Sequence, residues 1–259
     1  MKKRGYRREY IEAAASSRAI RPATKTRSEI IPVKERLAIF GGTFDPVHVA
    51  HLRAAQEAAE EIGLDKVLFM PCAQPPHPKH VMASAGDRLR MLELAVADNP
   101  LFGVNDLEAR LGGTSYTVRT LQTIREEHPE ASIFFLIGAD AFFHLHTWHE
   151  YSRLFDYADF VVMARPKSPR TDVLEYMQKQ LDPDFSPAGD GWIRRNGGHG
   201  AKRVPSTLLS ISSTDIRRRA AEGLSLAYLV HPAVEDYITR MKLYHQPTSS
   251  GGGSGGKRS

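Results

Sequence analysis

Residues 37–51 read LAIFGGTFDPVHVAH. The run Leu37-Ala38-Ile39-Phe40 has the length and composition of a buried strand. Gly41 and Gly42 break it, and Asp45-Pro46 marks a turn. From Val49 an alanine-rich helical pattern runs through Ala54, Ala55, Ala58, Ala59 and Ile62, with Gly63 as its stop. A strand, a glycine turn and a helix together present backbone N–H groups and a helix N-terminus to a phosphate. Glycine lets the main chain approach a ligand where a Cβ would collide. His48 and His51 lie three apart at the helix start and share a face. Neither GxGxxG nor GxxxxGK[ST] is present, so neither of those phosphate loops is expected.

A second stretch, Ile211-Ser212-Ser213-Thr214-Asp215-Ile216-Arg217, begins another helix. Ser212 or Ser213 serves as an N-cap, and Arg217 lies one turn inside. Hydroxyls, helix-end N–H groups and a guanidinium make a polyphosphate clamp. Between and around these two stretches, strands alternate with helices. Strands are expected at 67–70, 102–104, 132–138, 160–164 and 204–209. Helices are expected at 84–98 (Ser84 capping, Asp87 completing a capping box), from Ser115 to about His128, over 171–180, 212–222 and 232–243. Residues 181–203 are glycine-rich and lack periodicity. This alternation predicts an α/β fold, a Rossmann-like doubly wound parallel sheet with its ligand beyond the carboxyl ends of the strands.

The chain has 259 residues and a net charge of +5. The first 36 residues hold eleven Lys and Arg against four Asp and Glu, and the end adds Lys257 and Arg258. The body keeps 22 basic and 26 acidic residues, a net of −4, so nucleic acid is not expected as its partner. Residues 1–36 read as a flexible basic extension, 37–247 as one domain, and 248–259 as a disordered Gly/Ser tail. No apolar run reaches the roughly 20 residues of a membrane span. The single cysteine, Cys72, excludes an internal disulfide and fits a reducing, cytoplasmic setting. It lacks the surroundings of a nucleophile. His144, His146 and His149 with Asp140 suggest zinc, but no HExxH or second Cys/His pair accompanies them, so no protein-bound metal is expected.

GGTFDPVHVAH resembles the GGxFDPxHxGH signature of the nucleotidyltransferase superfamily, with Ala50 in place of the usual glycine. ISSTDIR resembles that superfamily's ISxTxIR signature, about 160 residues further on. Gln74–Lys79 (QPPHPK), Ser115-Tyr116-Thr117, Ile137–Asp140 (IGAD) and Thr147-Trp148 extend the resemblance to the bacterial nicotinate-nucleotide adenylyltransferases, from about Leu37 to about Tyr244. The resemblance implies that the phosphate of nicotinate mononucleotide attacks the α-phosphorus of ATP. Nicotinate adenine dinucleotide and pyrophosphate are then released, a step of NAD biosynthesis. It also implies that Tyr116, Thr117 and Trp148 hold the nicotinate ring and its carboxylate, and that Asp140 binds ribose. His48 and His51 act on the α- and β-phosphates, and Arg217 with Ser212, Ser213 and Thr214 on the leaving pyrophosphate. Lys79 is a second cation, and Gly41, Gly42, Thr43 and Phe44 supply backbone. Mg²⁺ is expected to travel on the ATP phosphates. The acceptor phosphate is already a nucleophile, so catalysis rests on positioning and charge stabilisation. Nicotinamide mononucleotide, another phosphate acceptor, or a catalytically dead nucleotide- or RNA-binding module are the alternatives. Homo-oligomerisation stays open.

Overall fold

The computed structural model describes residues 34–75, 81–164, 172–195, 197–207 and 209–245. In chain order the elements are β1 (Arg36–Gly42), α1 (Val49–Ile62), β2 (Lys66–Pro71), α2 (Ala85–Val96), β3 (Phe102–Val104), α3 (Leu107–Leu111), α4 (Thr117–Glu127) and β4 (Ser132–Gly138). There follow α5 (Ala139–Phe142), two 3₁₀ turns (Leu145–Thr147 and Tyr151–Asp156), β5 (Asp159–Met163), α6 (Val173–Tyr176) and a wide π-type turn (Met177–Leu181). The chain then forms β6 (Ser186–Pro187), β7 (Trp192–Arg194), β8 (Gly200–Val204), α7 (Ser213–Ala221) and α8 (Pro232–Arg240).

The strands form one sheet in the order β3-β2-β1-β4-β5-β8-β7-β6. It is parallel from β3 to β8 and antiparallel at the β6–β7–β8 edge. Side chains alternate across it. Ala38, Phe40, Phe134, Leu136, Val161 and Met163 face one core with residues of α1, α2, α7 and α8. Leu37, Ile39, Ile133, Phe135, Ile137, Phe160 and Val162 face another with α4 and α5. Both faces are covered, which is why these strands read as unbroken apolar runs rather than alternating ones. The chain runs outward from β1 to β2 and β3, then returns to place β4 on the other side of β1. That reversal opens a crevice at the carboxyl ends of β1 and β4.

Several elements differ from expectation. Gly41 and Gly42 lie within β1, because pairing continues as Gly41 with Met70 and Gly42 with Pro71. A Cβ on Gly42 would stand 2.9 Å from the Phe44 ring, so the glycine admits a neighbouring side chain. The strand expected at 204–209 is instead Gly200–Val204. Pro205 has no N–H to continue the ladder. Only glycine fits position 200, where a Cβ would lie 1.8 Å from the Ile193 carbonyl oxygen. Residues 181–203 supply the unforeseen β6–β7 edge. It is pinned by Asp159, which accepts from the Gly200 N–H (2.8 Å) and from Arg194 (3.0 Å to Oδ2). The Ser84 cap forms, with its Oγ accepting from the Asp87 N–H at 3.1 Å. Ser115 does not cap α4. Its hydroxyl accepts from the Ala73 and Gln74 N–H groups, and Tyr116 takes the cap position. Lys79 lies outside the described residues.

Candidate active site

The crevice holds a cleft of about 330 Å³. Its walls include His48, Ala50 and His51 from the start of α1, Asp140 after β4, Met163 at the end of β5 with Ala164 after it, and Thr207, Leu209 and Ser212 before α7. The fold therefore brings four expected residues, His48, His51, Asp140 and Ser212, to one cavity from opposite ends of the chain. Ala50 is in the wall at the position where the signature has glycine.

The two histidines form a unit. His48 is the N-cap of α1. Its N–H donates to Nδ1 of His51 at 3.3 Å. The rings stack with centroids 3.6 Å apart, 19° from parallel. A neutral imidazole that accepts at Nδ1 carries its proton on Nε2, so His51 is a donor at its outer nitrogen. Phe44 and Phe40 press edge-on against His51 at 5.1 and 6.1 Å. Phe44 itself is buried, with φ of 48°, a conformation that persists where the surroundings enforce it.

The turn between β1 and α1 is fastened from four directions. Asp45, 3 % exposed, accepts from the Met82 N–H (2.7 Å), the Ala83 N–H (3.1 Å) and the Tyr244 hydroxyl (2.8 Å). Burial, with the Asp45 charge beside it, pushes the Tyr244 phenol far above the usual tyrosine range, so it remains a donor. Arg217 Nη1 donates to the main-chain oxygen of Asp45 at 2.7 Å, and Nη2 to Thr214 Oγ1 at 3.3 Å. Ser213 Oγ donates to the Pro46 carbonyl at 2.9 Å. Ser212 caps α7 by accepting from the Asp215 N–H at 3.1 Å. Beneath the turn, Arg88 is 2 % exposed, and its Nη1 donates to the carbonyls of Thr43 (2.9 Å) and Cys72 (2.7 Å). The Cys72 N–H donates to the Gly42 carbonyl at 2.8 Å.

Other expected residues lie apart from the cleft walls. Tyr116 is partly exposed and lies against the His149 ring, tilted 31° with centroids 4.2 Å apart. Trp148 packs edge-on to Phe135 at 6.4 Å. Thr117 is the first residue of α4. Among the described residues no cluster of three or more His, Cys, Asp or Glu is placed to hold a metal ion. His144 and His146 instead bond to the Asp140 carbonyl (2.8 Å) and the Tyr176 hydroxyl (3.1 Å). No helix among the described residues is long and apolar enough to cross a membrane.

Sequence reasoning missed Arg88, Tyr244 and Thr207. Arg88 left a trace. It shares the buried face of α2 with Met91, Leu92 and Val96, and an arginine on an apolar helix stripe has a buried partner. Thr207, whose N–H donates to Glu57 at 2.7 Å, left none.

A family model described as cytidylyltransferase-like matches residues 39–219. A probable nicotinate-nucleotide adenylyltransferase of Desulfatibacillum aliphaticivorans is 43% identical over 218 residues, covering 81% of this chain and 99% of the relative. One of Trichlorobacter lovleyi is 40% identical over 211 residues, with the same shares. Among solved structures, a Plasmodium falciparum nicotinic acid mononucleotide adenylyltransferase complexed with NaAD matches with a TM-score of 0.62. It is 20% identical and covers 81% of this chain and 97% of that one; this likeness concerns the fold. On the shared motifs, the matched length and the identities, the chain belongs to the cytidylyltransferase-like family and, within it, to the nicotinate-nucleotide adenylyltransferases.

Proposed function

We propose that the protein transfers the adenylyl group of ATP to nicotinate mononucleotide. An oxygen of the acceptor phosphate forms a bond to the α-phosphorus while the bond from that phosphorus to the bridging oxygen of the β-phosphate breaks. The products are nicotinate adenine dinucleotide and pyrophosphate. The observation that carries this reading is the stacked His48–His51 pair at the head of α1, facing the capped head of α7 across one cleft. Two helix N-termini and two imidazoles meet where negative charge grows in the transition state.

In this reading His51, protonated at Nε2, and His48 donate to the phosphates that change charge. Arg217 and the N–H groups of Ser213 and Thr214 receive the leaving pyrophosphate. Asp140, exposed at the cleft rim, accepts from ribose hydroxyls. Tyr116, Thr117 and Trp148 hold the nicotinate, Lys79 adds a cation, and Gly41–Phe44 line the approach of the acceptor. The family uses a divalent metal with ATP, and we assign Mg²⁺. One carboxylate among imidazoles and hydroxyls suits an ion that arrives on phosphate oxygens; when bound, it neutralises the polyphosphate. The catalytic domain is assigned to residues 37–247.

The test is pyrophosphate release by purified protein with ATP and Mg²⁺, offered nicotinate or nicotinamide mononucleotide in parallel. Strong preference for the nicotinate form is expected. Release with the nicotinamide form alone overturns the acceptor assignment, and release with neither overturns the reaction.

A further inference from the structure

The two carboxylate oxygens of buried Asp45 are taken by three neutral donors: the N–H groups of Met82 and Ala83 and the hydroxyl of Tyr244. Arg217 lies against the same residue, yet its Nη1 bonds to the main-chain oxygen at 2.7 Å and stands 4.0 Å from Oδ2. A guanidinium beside a carboxylate ordinarily closes into a short, often bidentate pair. Here Oδ2, the oxygen nearer the guanidinium, accepts from the Met82 N–H, and Oδ1 is held by the Ala83 N–H and the Tyr244 hydroxyl. Arg217 keeps 19% of its side chain exposed and rests its other edge on Thr214 at the head of α7.

Tyr244 is the remote member of this set, 199 residues from Asp45. Its φ of 68° lies in the left-handed region, which a residue with a side chain occupies only when its surroundings hold it there. The residue is buried, 5% exposed, in the core on the α1, α2, α7 and α8 face of the sheet. We propose that the Tyr244 hydroxyl is a positioning group for adenylyl transfer: by anchoring Oδ1 of Asp45 it fixes the carboxylate with Oδ2 4.0 Å from the guanidinium, and so keeps Arg217 on the main-chain carbonyl and available to the pyrophosphate. This rests on the phosphate-binding reading of Arg217 given above. Without the hydroxyl, Oδ1 loses one of its two donors, the carboxylate turns, and the guanidinium closes on it.

The test is a double-mutant cycle. Tyr244→Phe keeps the ring and removes only the oxygen. Values of kcat and KM for ATP are measured for the unaltered chain, Tyr244→Phe, Arg217→Ala and the double variant, each at a temperature where its near-ultraviolet circular dichroism is native. Tyr244→Phe is expected to lower kcat/KM about tenfold in the unaltered chain and less than twofold when Arg217 is already alanine. An equal factor in both backgrounds means that Tyr244 is only structural and overturns the inference, as does no loss in either. Arg217→Ala with full activity overturns the phosphate role of Arg217, and the inference with it, and is recognised from the single variant alone. A control, Tyr237→Phe, removes a hydroxyl bonded to Asp87 at 2.9 Å and leaves kcat/KM within twofold. The ¹⁵Nε resonance of Arg217 gives a reading independent of turnover. It moves in Tyr244→Phe when the carboxylate captures the side chain, and an unmoved signal refutes the capture.

Discussion

Replacing Arg88 by methionine tests whether the turn between β1 and α1 is held from below. The guanidinium is 2% exposed, and its Nη1 serves the carbonyls of Thr43 and Cys72 at 2.9 and 2.7 Å. Methionine fills a similar volume without a donor. Two effects oppose each other. Removing a buried cation relieves its desolvation, since replacing buried charge by apolar groups is often neutral or favourable. Against this, two carbonyls lose their charged donor, at about 1–3 kcal/mol each. No carboxylate is bonded to this guanidinium among the described residues. Relief therefore offsets part of the loss, and a net destabilisation of about 2–3 kcal/mol is expected. With a urea m-value of about 3 kcal/mol/M for a domain of this size, the midpoint falls by about 0.7–1 M at unchanged m. The Thr43 carbonyl is one residue from Phe44, which braces His51, so kcat/KM for pyrophosphate release should also fall at least tenfold in folded protein. Arg88→Lys, able to reach one carbonyl, should fall between. A midpoint within 0.2 M of the unaltered chain, a shift of roughly 0.6 kcal/mol at that slope, would refute the reasoning and show that the cost of burying the charge equals what it holds.

Three further outcomes are expected. His51→Ala lowers kcat by two or more orders of magnitude, a barrier increase of about 3 kcal/mol, with little change in thermal midpoint; near-normal turnover removes His51 from the chemistry. Trp148→Ala raises KM for the acceptor more than for ATP, and equal rises make Trp148 a packing residue. Asp159→Asn changes the acid limb of stability. Burial acts to raise the Asp159 pKa, but the His199 imidazole 3.6 Å away, the hydrogen bond from the Gly200 N–H and the Arg194 charge hold it below the carboxylate range. Its stabilisation is therefore present above the unfolded value of about 3.9 and lost as pH falls through the lower folded value. The variant should be less stable at pH 7 and show a shallower fall in stability below pH 4 in urea titrations; an unchanged acid slope contradicts this.

The sequence by itself determined strands β1, β2, β4 and β5, because they are buried on both faces and each is a continuous apolar run. It also located His48, His51, Asp140 and Ser212, since each follows or precedes such a run at a chain position that a doubly wound sheet must bring to its carboxyl edge. It misplaced β8 because four apolar or β-branched residues in 204–209 outweighed Pro205, and it assigned Ser115 to a local cap because capping is the commonest use of a serine before a helix. Only the tertiary structure decided what fastens the turn between β1 and α1. Arg88, Arg217, Ser213 and Tyr244 reach it from α2, α7 and the segment after α8, and hydrogen bonds spanning 45 to 199 residues leave no periodicity or spacing in the chain. Local pattern encodes which backbone forms; which side chain satisfies a buried acceptor depends on what packing brings within 3 Å, and that is settled only once the whole chain has closed.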